Sequence, residues 1–290
     1  MRYYLQLTAV LITLALGISC TPNRIHSHDE WAKVFEEAGF EHGAFLLRDH
    51  NHDAVHYYNL DQDTSKMIPA STFKIVLSLV GLETGILLND QFIIPFNGIP
   101  SGNPDWDKDM SLREAFKSSS EPYFKELARR IGKEKLQKYL DTLNYGTKTL
   151  GDSVSECWHD NSLRISADEQ VGLMRRLYFN KLPFTERSQR IVRSMMLQQN
   201  DSNNKWYYKT GWGKGADTTI LWVVGFVEYK EKSKELQGSM NKSDERNYVY
   251  FFAENIKVPN AKADIGTMAP KRIEIAKKIL NQYWHQSHVK

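Results

Sequence analysis

The segment Pro69-Ala-Ser-Thr-Phe-Lys74 directly precedes the apolar run Ile75-Val-Leu-Ser-Leu-Val-Gly-Leu82. This run predicts a buried helix that carries Ser71 in its first turn and stops at Gly85. Residues three apart share one face of a helix, so the amine of Lys74 should lie beside the hydroxyl of Ser71. Apolar surroundings favour a neutral amine, which can activate a serine for nucleophilic attack. Taken alone, the pattern is more typical of Ser71 as a helix cap and Lys74 as a solvated lysine.

The composition is that of a folded, weakly charged protein. The 290 residues are 41% hydrophobic and 12% aromatic, which is enough for a large core. The net charge of +3 gives no reason to expect a nucleic-acid partner. Four histidines (His26, His28, His50 and His52) lie in a polar tether and a turn, where histidines are usually solvated, so no metal site is predicted.

The N-terminus has the pattern of an export signal. Met1-Arg2 is basic, residues 5–18 are mostly apolar, and small residues lead to Cys20. The apolar part is short for a membrane span, so residues 1–20 are predicted to be a signal that directs the chain to the periplasm or cell envelope. Cys20 stands where a bacterial lipoprotein would be lipidated, although Gly17 is a poor match to that signal. Cys157 is the other cysteine and would have no internal disulfide partner after cleavage.

The order of the predicted elements defines the fold class. Strand patterns come first, a long helical stretch follows, and strands and one helix close the chain. This order predicts an α+β fold in which both ends of the chain build an antiparallel sheet flanked by helices. The domain would span 21–290, with a helical insertion at about 72–200 and a charged connection at 230–246. The predicted strands are 43–48, 54–58, 206–209, 220–229 and 248–255, and the closing helix is 273–284.

Three further short motifs follow the Ser71 helix. They are Ser118-Ser-Ser-Glu121 at a helix break, Tyr145-Gly-Thr147, and Lys209-Thr-Gly211 at the end of a β run. Each one alone is usually a cap, a turn or a strand end. Their occurrence together, in this order and behind an export signal, is hard to obtain by chance.

With these motifs the chain resembles the class D serine β-lactamases, the oxacillinase family, from about Trp31 to the C-terminal helix. The resemblance extends to Trp158 and to the stretches 126–132, 138–140, 163–166, 170–171, 177–178, 180–182 and 225–228. It implies a penicillin-recognising serine enzyme fold and β-lactam antibiotics as substrates. It implies neither a metal nor an organic cofactor.

The resemblance also implies catalytic roles. Ser71 would be the acylated nucleophile. Lys74 would react with CO2 to give a carbamate (N6-carboxylysine), which would act as general base for both attacks. The Trp158 indole would hold that carbamate. Ser119 would relay a proton towards the leaving nitrogen, and the positive charge of Lys209 would assist the relay.

A second set of implied residues would bind the substrate. The backbone N–H groups of Ser71 and Trp212 would form an oxyanion hole, which is worth about 3 kcal/mol per donor. Arg272 would pair with the carboxylate of the drug, since arginine suits bidentate pairing; a solvated charge at a helix start is the alternative. Tyr145, Thr210 and Gly211 complete the predicted substrate-binding set.

Two residues depart from the family pattern. Glu121 stands where valine is usual, close to the expected carbamate, and Thr147 stands where asparagine is usual. Glu121 must therefore point away, be protonated, or weaken carboxylation of Lys74. The departures bear on deacylation more than on attack by Ser71.

Two other functions are compatible with the sequence. The first is a penicillin-binding or penicillin-sensing relative that is acylated and deacylates slowly. The second is a non-catalytic binding module of the cell envelope. The sequence assigns no oligomeric state.

Overall fold

A seven-stranded sheet forms the centre of the computed structural model, which describes residues 24–232 and 245–288. The strand order is β1-β3-β2-β9-β8-β7-β6. The β1–β3 pair is parallel and the other pairs are antiparallel. The strands of this sheet are β1 (Ile25–Ser27), β2 (Gly43–Asp49), β3 (Ala54–Tyr58), β6 (Leu197–Asn200), β7 (Asn204–Lys214), β8 (Thr218–Lys232) and β9 (Glu245–Pro259), and a separate short ribbon consists of β4 (Ile93–Ile94) and β5 (Met110–Ser111).

The helices fall into two groups along the chain. Seven of those in the described residues lie between β3 and β6, and the other two flank the sheet strands near the chain ends. The predicted α+β class, with an antiparallel sheet flanked by helices, is confirmed. The helices are α1 (Ala32–Glu37), α2 (Leu60–Thr64), α3 (Lys74–Glu83), α4 (Leu112–Ser118), α5 (Glu121–Ile131), α6 (Lys133–Leu143), α7 (Ala167–Tyr178), α8 (Glu186–Met196) and α9 (Ile265–His288).

Local sequence signals set several helix boundaries. Both Ser111 and Ser166 cap their helices through a capping box, with Glu114 and Glu169 returning the hydrogen bond. Pro122 lies in the first turn of α5, where its missing N–H costs little. The helix that follows Ser71 ends one residue before Thr84, and Gly85 then adopts a left-handed φ of 73°.

Two apolar cores cover the two faces of the sheet. One contains Trp31 and Phe35 beside α1 together with Ile279 and Leu280 of α9. The other contains almost the whole of α3 and packs it against the helices of the middle segment. Because α3 is buried on all sides, every residue from Lys74 to Leu82 is inaccessible to solvent or nearly so.

Several elements differ from the sequence prediction. The closing helix begins at Ile265 rather than at 273, because Pro270 is accommodated inside it. Strand β7 continues through Lys209-Thr-Gly211 to Lys214, so this motif lies in mid-strand and not at a strand end. Helix α8 was not predicted.

The predicted export signal, including Cys20, lies outside the described residues and stays a prediction. The predicted connection at 230–246 is too long, because residues 230–232 belong to β8 and residues 245–246 to β9; residues 233–244 lie outside the described residues. None of the described helices combines the length and the apolar composition needed to cross a membrane.

Candidate active site

Ser71, the predicted nucleophile, lies on a short, tightly held turn. Residues Ala70–Phe73 form one 3-10 turn that leads directly into α3. Ala70 has a φ of 48°, which is unusual for a residue with a side chain, and its N–H donates to the carbonyl of Trp158 at 3.1 Å. Strand β7 passes against this turn: a Cβ on Gly211 would lie 3.3 Å from the backbone nitrogen of Ser71. The absence of a side chain at Gly211 therefore lets the strand approach Ser71 closely.

Lys74 lies beneath Ser71, as the three-residue spacing predicts. Its side chain is fully buried, and its Nζ donates to Ser71 Oγ at 2.7 Å and to the carbonyl of Ser119 at 2.8 Å. Burial lowers the pKa of Lys74, and the charge of Glu121 opposes that fall. The solvated-lysine interpretation is wrong for this residue.

Glu121 points into the site from the first position of α5. Its Oε1 accepts hydrogen bonds from Lys74 Nζ and, at 3.3 Å, from Ser71 Oγ. Its Oε2 accepts hydrogen bonds from Trp158 Nε1 at 3.3 Å and from His159 Nε2 at 3.1 Å. Burial acts to raise the pKa of Glu121, but Lys74 and His159 outweigh it and hold that pKa well below its usual range. Glu121 is therefore an ionised carboxylate in contact with the nucleophile.

Ser119 and Lys209 form the next pair. Ser119 ends α4 with a left-handed φ of 60°, and Lys209 Nζ donates to its Oγ at 2.6 Å. Burial, followed by the charges of Lys74 and Arg272, lowers the pKa of Lys209 well below its ordinary value. This direction favours a neutral amine, whereas the resemblance implies a positive charge at Lys209.

An open pocket gives access to these groups. Trp212 lies at its edge with 43% of its surface exposed, and Arg272 Nη1 donates to the carbonyl of Gly211 at 2.6 Å. Arg272 is thus brought to the pocket and is not a solvated charge. Residues that line the pocket include Ser71, Trp106, Ser119, Glu121, His159, Thr210, Gly211, Trp212 and Arg272, together with Lys117, Lys125 and Lys214.

Tyr145 is the predicted substrate contact that the structure does not bring to the pocket. Its side chain is buried, and its ring lies 5.4 Å from that of Phe73, on the turn that carries Ser71. The Tyr-Gly pattern predicted the turn but carries no information on side-chain direction. Thr147, the second departure from the family pattern, hydrogen-bonds to the carbonyl of Ser162 at 3.1 Å and lies outside the pocket.

His159 is a site residue that the sequence analysis missed. It follows Trp158 directly, but a single histidine in a turn-rich segment carries no signal of its own. The structure brings His159 to the pocket, where its Nε2 lies 3.1 Å from Oε2 of Glu121, a residue 38 positions away in the chain.

An antiparallel sheet, a buried serine–lysine pair and a facing Lys-Thr-Gly strand together define a penicillin-recognising serine enzyme. A model of the penicillin-binding protein transpeptidase domain matches residues 37–259. The chain is 31% identical over 277 residues to β-lactamase OXA-5 of Pseudomonas aeruginosa, covering 94% of this chain and 96% of that protein. It is also 31% identical over 258 residues to β-lactamase OXA-48 of Klebsiella pneumoniae, covering 89% and 91%.

Two solved structures extend the likeness to three dimensions. The class D β-lactamase FUS-1 (OXA-85) of Fusobacterium nucleatum subsp. polymorphum superposes with a TM-score of 0.77 at 33% identity, covering 89% of this chain and 98% of that one. A class D β-lactamase of Sebaldella termitidis gives a TM-score of 0.79 at 28% identity, covering 90% and 98%. The chain belongs to the class D serine β-lactamase family, whose members are hydrolases, and the sequence-based identification is confirmed.

Proposed function

We propose that this chain hydrolyses the ring amide of β-lactam antibiotics through an acyl-enzyme on Ser71. The observation that carries the proposal is the 2.7 Å contact between Lys74 Nζ and Ser71 Oγ, at the base of an open pocket. Hydrolysis of the ring would inactivate the drug and so confer resistance.

The reaction proceeds in two attacks. In the first, Ser71 Oγ loses its proton to a base, bonds to the ring carbonyl carbon, and the carbon–nitrogen bond of the ring breaks. In the second, a water loses a proton to the base, its oxygen bonds to the acyl carbon, and Ser71 Oγ leaves and regains a proton. One water is consumed, and the product is an amino acid with an opened ring.

The Ser119–Lys209 pair supports the protonation of the leaving nitrogen. Because Lys209 Nζ donates to Ser119 Oγ at 2.6 Å, the proton of the Ser119 hydroxyl is free to point towards the substrate. Ser119 then passes this proton to the ring nitrogen, and the proton that the base took from Ser71 replaces it on Ser119.

Two positions in the pocket are suited to the charge and shape of a β-lactam. Arg272 would meet the carboxylate that penicillins carry, with Lys117 and Lys214 of the pocket adding positive potential. The exposed Trp212 would pack on the body of the drug, and the N–H groups of Ser71 and Trp212 would stabilise the oxyanion.

Carboxylation of Lys74 stays a prediction. A carbamate on Nζ would need space that the Glu121 carboxylate occupies, and it would need the Trp158 N–H that Glu121 accepts.

The test is mass spectrometry of the protein mixed with a penicillin, together with turnover of a chromogenic cephalosporin. Wild type should show catalytic turnover and a transient adduct on Ser71. The Ser71→Ala variant should show neither, a loss of at least about 10³-fold, because the nucleophile is gone.

Slow deacylation is the second candidate, and the presence of Glu121 beside Ser71 favours it. A stoichiometric adduct on wild type that outlasts the assay would support this alternative. If wild type showed neither an adduct nor turnover, both hydrolysis and slow deacylation would be contradicted. The result would then support a non-catalytic binding module.

A further inference from the structure

We propose that Glu121 is the general base of this enzyme and takes the place of a carbamate on Lys74. The inference rests on the proposed function, because it names the group that removes protons during hydrolysis. It arises from one constellation, in which Glu121 touches Ser71, Lys74, Trp158 and His159 at once.

The carboxylate of Glu121 already makes the contacts that a carbamate would need. Oε1 lies 3.3 Å from Ser71 Oγ, within reach of the proton that must be removed. Oε2 accepts the Trp158 indole N–H at 3.3 Å, the donor that the resemblance assigns to the carbamate. Glu121 on α5 therefore places its carboxylate where a carbamate on Lys74 of α3 would place its own carboxylate.

Electrostatic repulsion opposes a Lys74 carbamate next to the Glu121 carboxylate. Carboxylation removes a proton from the Lys74 amine, forms a nitrogen–carbon bond to CO2 and replaces a cation with an anion. The Lys74–Glu121 pair is neutral when the amine is protonated, whereas a carbamate beside Glu121 would put two negative charges in contact at a buried position. Glu121 also favours the protonated amine, and carboxylation requires the neutral one.

The chemical steps balance with Glu121 as base. Its Oε1 takes the proton from Ser71 Oγ as Oγ bonds to the ring carbonyl, and Lys74 donates to the oxygen that becomes negative. The ring nitrogen takes the hydroxyl proton of Ser119, and the proton that Glu121 removed from Ser71 replaces it on Ser119 Oγ. In deacylation Oε1 takes a proton from water and returns it to Ser71 Oγ. A carboxylate with a lowered pKa is a weak base, and the Lys74 ammonium offsets this by stabilising the forming alkoxide.

Three variants separate this proposal from the carbamate. Glu121→Gln keeps the shape of the side chain but removes the base. Glu121→Val removes the carboxylate altogether and frees Lys74 to react with CO2. Glu126→Gln is the matched control on the same helix, since Glu126 forms an ion pair with Arg130 and lies outside the pocket.

Each variant is measured in two ways. The first is 13C NMR of the full chain in 13C-bicarbonate, which reports a lysine carbamate without any substrate. The second is turnover of a chromogenic cephalosporin with and without bicarbonate, together with the lifetime of the Ser71 adduct.

We expect no carbamate signal in wild type or Glu126→Gln, and turnover that does not respond to bicarbonate. Glu121→Gln should lose about 10²–10⁴-fold in turnover, with a long-lived adduct that bicarbonate does not shorten. Glu121→Val should gain the carbamate signal and turnover that rises with bicarbonate.

A carbamate signal in wild type, with turnover that rises with bicarbonate, would overturn the proposal. So would near-wild-type turnover by Glu121→Gln. Failure of the underlying function is distinct, since wild type would then show no turnover under any condition, with either no adduct on Ser71 or one that outlasts the assay.

Discussion

At the scale of single residues, the site is a set of buried charges that determine one another's protonation. Burial lowers the pKa of Lys209, and the nearby positive charges of Lys74 and Arg272 lower it further. Glu121 is the anion that contacts Lys74 directly, and it keeps its charge because Lys74 is beside it. Replacing any one of these residues therefore changes the electrostatic state of the others.

Arg272 provides a prediction at this scale. Burial lowers the pKa of Arg272 to about 10, which leaves it charged at neutral pH and suited to bind a carboxylate. Arg272→Ala should raise KM for a penicillin about 10–100-fold with a smaller change in kcat, the usual effect of losing a hydrogen bond to a charged group. Steady-state kinetics measure this.

The methyl ester of the same penicillin is the control. Because the ester lacks the negative charge, wild type and Arg272→Ala should handle it almost equally. Equal losses on acid and ester would instead assign Arg272 a structural role through its hydrogen bond to Gly211.

At the scale of elements, the site depends on how closely β7 approaches the Ser71 turn. A Cβ on Gly211 would lie 3.2 Å from the carbonyl oxygen of Pro69 and 3.3 Å from Ser71 N, which is tight for a contact with backbone. We predict that Gly211→Ala pushes the strand away and lowers kcat/KM about tenfold with little change in Tm, since small displacements at a reaction centre are costly. Kinetics and thermal melts test both parts.

Gly172 is the matched control for this substitution. It lies exposed in α7, and a Cβ there would meet no atom within 4 Å. Gly172→Ala should leave kinetics unchanged and stabilise the fold by about 0.5–1 kcal/mol, the usual gain in helix propensity. If Gly211→Ala kept the kcat/KM of wild type, the close approach of β7 to Ser71 would not be needed for activity.

At the scale of the whole molecule, one buried carboxyl group ties stability to pH. Asp63 on α2 is fully buried, and neither of its oxygens has a hydrogen-bond partner in the described part of the chain. Burial, with a smaller contribution from the charge of Asp168, raises the pKa of Asp63 to about 9. The folded protein thus keeps a proton there that the unfolded chain loses near pH 4.

The sign of the effect follows from this difference. Between about pH 4 and pH 9 the folded state binds one more proton than the unfolded state, so the free energy of unfolding falls as pH rises. Asp63→Asn should remove the Asp63 contribution to this dependence and raise Tm at pH 8 by several degrees relative to wild type. Melting curves from pH 5 to 8 test it, with the exposed Asp61→Asn as control; parallel curves for wild type and Asp63→Asn would contradict the prediction.

The sequence by itself determined the class of fold and most of the residues that meet in the candidate site. Periodicity is a local signal, so strands such as β2 and β3 were predicted nearly to their ends. The Ser71–Lys74 pair was also local, because three residues of helix fix its geometry. Ser119 and Lys209 came from a chain-long resemblance, and the structure brings them to hydrogen-bonding distance.

Only the tertiary structure decided the direction and charge of the groups between these motifs. The sequence left three possibilities for Glu121, and packing of α5 against α3 brings its carboxylate against Lys74 and Ser71. Tertiary packing also buries Tyr145 away from the pocket and brings in His159, which no motif marked. The physical reason is that protonation and side-chain direction depend on burial and on charges from distant parts of the chain, which a local pattern does not contain.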